Sequence, residues 1–319
     1  MTAPTLPLSS HFKLHQLAAG VYAAICRSEG LAASNSGIVD LGDRALVFDT
    51  TYSPASAADL RAAAERLTGR SVEAVLTSHW HGDHVYGNCV FDAATPIIAT
   101  ARTKEIMAER TPGRLADFKK HWPEQLEKWK AELPRAKDEA ERKDLEEGVR
   151  FAAAIIATLP TLEQRLPDQV FTDRLEFRGP QRTVEFVTFG GGHTDSDAVL
   201  HLPAERIVFT GDLLVVKNHP WLGDGHPRDW LGILAKMKSL DPAQLVPGHG
   251  EIGGLADVAL IERYLNETLR MAEQNRSEGG SAATAAALQP PAFTEGWANA
   301  DGFGRNMTFL HDYVEQRMS

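Results

Sequence analysis

The residues best able to do chemistry in this chain are clustered. His79, His81, Asp83 and His84 fall within six positions of the string Thr77-Ser78-His79-Trp80-His81-Gly82-Asp83-His84. Two imidazoles at i and i+2 of an extended loop project from the same side. The aspartate and third histidine then project towards a neighbouring point, so the spacing suits two adjacent metal ions better than one. Three further segments carry single donors: Gly190-Gly191-Gly192-His193-Thr194, Gly211-Asp212 and Pro247-Gly248-His249-Gly250. The combined set is imidazole and carboxylate without thiolate. Such donors suit Zn²⁺, with Fe or Mn as alternatives. A lone histidine is more often a satisfied side chain than a ligand, but seven donors in four segments call for a common cause.

Each of these segments follows a strand-like run, at the carboxyl end where α/β sheets build sites. Val72–Leu76 leads into the His79 string, Val184–Thr188 into His193, Ile207–Thr210 into Asp212, and Gln244–Val246 into His249. Earlier strands are read at Phe12–Leu17, Val21–Cys26, Gly37–Leu41 and Ala45–Phe48, with a helix from Pro54 to Leu67 closed by Gly69. Later ones are read at Leu175–Phe177 and Ala198–Leu202, with helices at Trp230–Leu240, Leu255–Ala272 and Arg305–Arg317. Ser277 to Asn299 reads as a loose connection.

The stretch 103–160 differs from its surroundings. Leu115, Phe118, Trp122, Leu126, Trp129 and Leu133 recur at spacings of three and four. Leu145, Val149, Ile156 and Leu159 do so on a second segment, with Ile155 beside the seam. This predicts an antiparallel helical hairpin broken near Pro134. Helices this amphipathic need a partner surface, as a solvated insertion, a lid over the site or an arm for a homodimer.

The composition narrows the class. The chain has 319 residues, 43% apolar and 24% charged, enough for a core without staples. Its net charge of −10 argues against a nucleic-acid backbone or an anionic membrane as partner. No run approaches the roughly 20 apolar residues of a spanning helix. Two cysteines, Cys26 and Cys89, exclude a disulfide scaffold and fit a reducing cytoplasm.

In order and spacing, His79-x-His81-x-Asp83-His84, Gly192-His193, Gly211-Asp212 and Gly248-His249 resemble the metallo-β-lactamase superfamily over about Leu14 to Gly250, apart from the helical stretch. The resemblance implies an α/β fold, a four-layer αββα sandwich of two mixed β-sheets. It further implies one such domain over 1–319, with the hairpin 103–160 as an insertion and 255–319 as a C-terminal helical extension. Carried over by position, His79, His81 and His193 match the ligands of a first metal. Asp83, His84 and His249 match those of a second, and Asp212 matches a bridging carboxylate. The implied activity is hydrolysis by a hydroxide shared between two zinc ions, with Asp83 orienting the water.

The implied substrate is a small ester, lactone, amide or thioester. Gly192 to Leu200 and Leu222-Gly223-Asp224 resemble dizinc β-lactamases, yet Asp212 stands where those enzymes usually carry cysteine. β-Lactam cleavage, as main or side activity, is therefore an alternative. A mononuclear Fe sulfur dioxygenase-like oxidoreductase is another, opposed by the full second ligand set. A nuclease would want a basic stripe that this chain lacks. A non-catalytic module would be expected to have lost ligands, and none is missing. Ser28 to Asn35 and the run Lys217, Asn218, His219, Pro220, Trp221 are the loops expected to line the pocket. Lys217, Asn218, His219 and Trp221 are the candidate substrate-binding residues, with an exposed lysine as the plainer reading of Lys217.

Overall fold

The structure is a computed structural model that describes residues 6–315. The chain packs as two compact units, each built on its own sheet. The first runs to Thr172 and includes Arg178–Arg182; the second holds Asp173–Phe177 and the chain from Thr183 onward.

Seven strands make the first sheet in sequential spatial order: β1 (Phe12–Ala18), β2 (Val21–Cys26), β3 (Ser36–Asp40), β4 (Ala45–Phe48), β5 (Val72–Leu76), β6 (Ile97–Thr100) and β7 (Gln169–Phe171). The first three pairings are antiparallel and the last three parallel. The direction changes at β4 and β5, where a parallel step needs a crossover. Helix α1 (Pro54–Thr68) supplies it. Ser53 caps its start by accepting from the Ser56 amide, Pro54 opens its first turn, and Gly69 closes it at φ +68°. All four residues of β4 are buried, as expected for a strand covered on both faces. The pairing Phe48↔Leu76 brings the carboxyl ends of β4 and β5 to one edge, so Asp49 and the Ser78–His84 string leave the sheet side by side.

That string contains the short helix α2 (Gly82–Val85), followed by a 3₁₀ turn at Tyr86–Val90 that carries Cys89. The hairpin follows as α3 (Ala101–Glu132) and α4 (Glu139–Thr158). The apolar stripe of α4 is centred on Ile155, with Ala152 and Thr158, one residue earlier than the Leu145–Val149–Ile156 spacing suggests. The hairpin finds its partner surface within its own unit. Leu115, Phe118 and Ile155 pack with Leu31, Trp80, Val85 and Tyr86, the last three within or next to the His79 string. Phe118 meets Tyr52 and Tyr86 edge-on, at centroid distances of 4.9 and 5.0 Å. Replacing Phe118 by alanine empties the middle of this cluster and should destabilise the protein by about 3 kcal/mol. A loss of less than about 1 kcal/mol in the unfolding free energy from urea denaturation would show that the hairpin is not anchored here.

The second sheet has the order β8 (Arg174–Arg178), β9 (Thr183–Gly190), β10 (Asp197–Leu202), β11 (Ile207–Phe209) and β12 (Gln244–Val246). β9, β10 and β11 are antiparallel neighbours; β11 and β12 are parallel, with helix α5 (Pro227–Ser239) between them in sequence. The pairing Phe209↔Val246 delivers Gly211-Asp212 and Gly248-His249 to the same edge. Three helices follow, α6 (Leu255–Ser277), α7 (Ala282–Ala286) and α8 (Gly302–Glu315). The sequence-predicted closing helix Arg305–Arg317 falls on α8, and Arg317 lies outside the described residues. The C-terminal helices are part of the core of this unit. Tyr264, Leu265, Met307 and Leu310 are fully buried in one cluster with Val199, Val208 and Trp230.

The expected α/β class with two mixed sheets and flanking helices is what the chain forms. Two strands, β6 and β7, have no counterpart in the sequence reading; at four and three residues they are too short to show alternation. The connection 277–299 is more ordered than its composition suggests, holding α7 and a 3₁₀ turn at Ala292–Thr294.

Candidate metal centre

The ligand string is held from beneath by a carboxylate that spacing did not single out. Asp49 follows β4, is fully buried and takes the left-handed backbone at φ +57°. That conformation costs a non-glycine residue on the order of 1 kcal/mol and marks a position fixed by its surroundings. Asp49 Oδ1 accepts from the Ser78 amide at 2.7 Å, and Oδ2 accepts from Ser78 Oγ at 2.7 Å and from His84 Nδ1 at 2.8 Å. Burial pushes the Asp49 carboxyl above the ordinary carboxylate range, while His84 and Ser78 pull it back down. Its neighbour Thr50 donates from its amide to the His84 carbonyl at 2.9 Å and from its hydroxyl to Asn88 at 2.8 Å. The Ser34 hydroxyl donates to the Asp83 carbonyl, which ties the Ser28–Asn35 loop to the same string.

These bonds fix histidine tautomers. Ser78 Oγ gives its one proton to Asp49, so it accepts from His79 Nδ1 at 2.8 Å. His84 Nδ1 faces a carboxylate and must donate. In the second unit His193 Nδ1 donates to the Trp221 carbonyl at 3.1 Å, since a carbonyl can only accept. As neutral rings all three therefore carry the proton on Nδ1 and present the Nε2 lone pair, the form in which a histidine binds a metal.

The remaining geometry of each unit agrees. The rings of His79 and His81 are 4.8 Å apart and those of His79 and His84 4.3 Å. His84 Nε2 is 3.5 Å from Asp83 Oδ2. Asp212 Oδ2 is 3.3 Å from both His193 Nε2 and His249 Nε2. Tetrahedral zinc with bonds of about 2.0–2.1 Å separates neighbouring donors by roughly 3.3 Å, so these carboxylate–imidazole spacings fit a shared cation. Gly248 leaves the room this needs: a Cβ there would stand 1.8 Å from Asp212 Oδ1.

Each unit thus carries its own set of donors: His79, His81, Asp83 and His84 in the first, and His193, Asp212 and His249 in the second. These seven are the residues that the sequence singles out as metal ligands. The donor chemistry and the presented Nε2 atoms fit a zinc-type cation.

The four candidate substrate residues fall differently. Lys217 is exposed and Asn218 half-buried; the Asn218 side-chain oxygen accepts from Asn299 at 2.7 Å. Trp221 is exposed, and its ring nitrogen donates to Asp224 at 3.0 Å. His219 is buried among Tyr264, Trp297 and Phe303, with its Nδ1 3.2 Å from the Tyr264 hydroxyl. Burial lowers its pKa, so it sits in the core as a neutral ring.

Asp49 was legible in one respect: an aspartate directly after an apolar strand, at the same sheet edge as the ligand string. Asp197 offered a similar signal at the start of β10. It accepts from the amides of Gly192 and Thr194 and from the Thr194 hydroxyl, which shapes the loop that presents His193.

Comparison with known proteins agrees with this geometry. The family model described as the metallo-β-lactamase superfamily matches residues 30–249. A metallo-β-lactamase type 2 from Bacteroides fragilis is 30% identical over 107 residues, which is 32% of this chain and 43% of that protein. The aligned part thus spans less than half of that relative. A metallo-β-lactamase structure from Pontibacter korlensis superposes with a TM-score of 0.57 at 18% identity, covering 80% of this chain and 99% of that one. One from Hirschia baltica gives 0.55 at 17%, covering 79% and 98%. At such identities the structures show a shared fold. With the family model spanning strands of both sheets and all seven donors, the chain belongs to the metallo-β-lactamase superfamily.

Proposed function

We propose that the protein is a dinuclear zinc hydrolase that cleaves a small ester, lactone, amide or thioester. The observation that carries this reading is Asp212, whose Oδ2 stands 3.3 Å from both His193 Nε2 and His249 Nε2. On this reading His79, His81 and His193 would hold one ion and Asp83, His84 and His249 the other, with Asp212 available to both. The chemistry that a zinc pair supplies is activation of water near neutral pH and polarisation of the scissile carbonyl. The protein's part is to keep the donors deprotonated and aimed. Asp49, through Ser78 and His84, and the Trp221 carbonyl, through His193, do so by fixing the ring tautomers. Asp83 is at the rim of the second group, with its side chain 23% exposed, and can orient an attacking water.

β-Lactams are the second substrate reading, favoured by the local 30% identity to a protein named metallo-β-lactamase type 2. Against it stands the carboxylate at Asp212, where the dizinc β-lactamases that this sequence resembles usually carry a thiolate. No helix among the described residues is long and apolar enough to cross a membrane. Cys26 and Cys89 are not joined in a disulfide. Both facts are compatible with a cytoplasmic enzyme of small-molecule substrates, the setting we propose.

Zinc-loaded protein assayed on a panel of chromogenic esters, thioesters, lactones and β-lactams tests the reading. Turnover of at least one class, lost on chelation and restored by zinc, is expected. Zinc-loaded protein inert towards every class would remove the hydrolase assignment for small carbonyl substrates.

A further inference from the structure

The loop that follows Asp212 is held by the C-terminal helix, through one side chain. Asn306 lies on α8, is 1% exposed, and falls outside the span matched by the family model. Its Nδ2 donates to the Pro220 carbonyl at 2.6 Å, and its Oδ1 accepts from the Leu222 amide at 3.0 Å. The two bonds flank a single residue, Trp221, whose carbonyl is the acceptor for His193 Nδ1. The Trp221 side chain is exposed, so this carbonyl is what the residue contributes to the site. The other end of the loop is tied by Ala298, which donates to the Lys217 carbonyl at 2.9 Å and accepts from the His219 amide at 3.0 Å. Phe303, Met307, Leu310 and Val314 seat α8 in the core, so Asn306 works from a fixed support.

We propose that Asn306 is a positioning residue for His193. By pinning the backbone on both sides of Trp221 it fixes the carbonyl that keeps His193 in its Nδ1–H form, with Nε2 turned to Asp212 Oδ2 at 3.3 Å. An amide side chain is suited to the task because it offers a donor and an acceptor at once, and the loop presents one carbonyl and one amide, two residues apart. This inference rests on the metal-binding reading above. It adds that the C-terminal helix, which supplies no ligand, sets the affinity of the site.

The test is zinc affinity, measured by competition with a chromogenic chelator, for wild type, Asn306→Ala, Asn306→Asp and Val314→Ala. Val314→Ala loosens α8 two turns away without touching the loop and serves as the control for lost stability. Asn306→Ala should weaken zinc binding by about 10–100-fold, the usual cost of removing a group that orients a ligand. Asn306→Asp, which keeps the acceptor for Leu222 and loses the donor to Pro220, should fall between. Val314→Ala should bind as wild type, and ¹⁵N spectra of the histidine rings should show a loss of the Nδ1–H form in Asn306→Ala alone. Affinity in Asn306→Ala equal to that of Val314→Ala overturns the proposal. Should Asn306→Ala not fold, Asn306→Asp against Val314→Ala decides by the same criterion. Wild type that takes up no zinc would instead overturn the metal-binding reading itself.

Discussion

Alanine at Asp212 should lower turnover of the best substrate by at least about a thousandfold and reduce the bound metal below two ions per chain. The carboxylate is 7% exposed and meets His193 and His249 at equal distance, so its loss removes a donor from both groups at once. A contribution of about 4 kcal/mol to the reaction barrier, in the range for charge stabilisation by a bound metal, corresponds to this factor. Asp212→Asn is the sharper form of the experiment, since it preserves volume and removes the charge. Kinetics and elemental analysis on the same preparation read the outcome. A variant that keeps both metals and a tenth of wild-type turnover would show that Asp212 is not shared.

The second large effect is expected at a residue that touches no metal. Asp49→Ala leaves the Ser78 amide, the Ser78 hydroxyl and His84 Nδ1 without their acceptor in a fully buried place. Abandoning buried donors in this way should cost about 3 kcal/mol of stability. The consequence for the site is larger than the consequence for the fold. Ser78 Oγ no longer directs its proton to Asp49, so His79 Nδ1 loses its fixed partner at the same time as His84. Zinc affinity should fall by about 10–100-fold for each ring released. Titration with zinc, alongside urea denaturation of the metal-free variant, separates the two effects. Unchanged affinity together with lowered stability would reduce Asp49 to a structural carboxylate.

The sequence carried the donors because metal chemistry restricts residue type and because each donor follows an apolar strand. Val72–Leu76 and Gln244–Val246 are short and end in apolar residues, so the positions of His79 and His249 after strand ends could be read directly. The hairpin was legible for a similar reason, since α3 repeats its apolar positions over many turns. The partner surface of the hairpin was not legible. Leu31 and Tyr52 come from loops and Tyr86 from a 3₁₀ turn, and their proximity depends on the sheet order. The same holds for the groups that orient the ligands. Asp49 meets Ser78 because β4 and β5 are parallel neighbours, and Asn306 reaches Pro220 across more than eighty residues. His219 shows the reverse case: a histidine beside other polar loop residues that the fold places among aromatic rings. Pattern reveals what a residue type can do, whereas hydrogen bonding between distant elements decides which of those options it takes.

The most direct test of the account is the metal content of the protein after saturation with zinc and removal of excess, measured by plasma emission spectrometry against amino-acid analysis. The two donor groups predict two zinc ions per chain, falling to one or none when His79 or His249 is replaced by alanine. A wild-type value near zero, or one unaffected by either replacement, would contradict it.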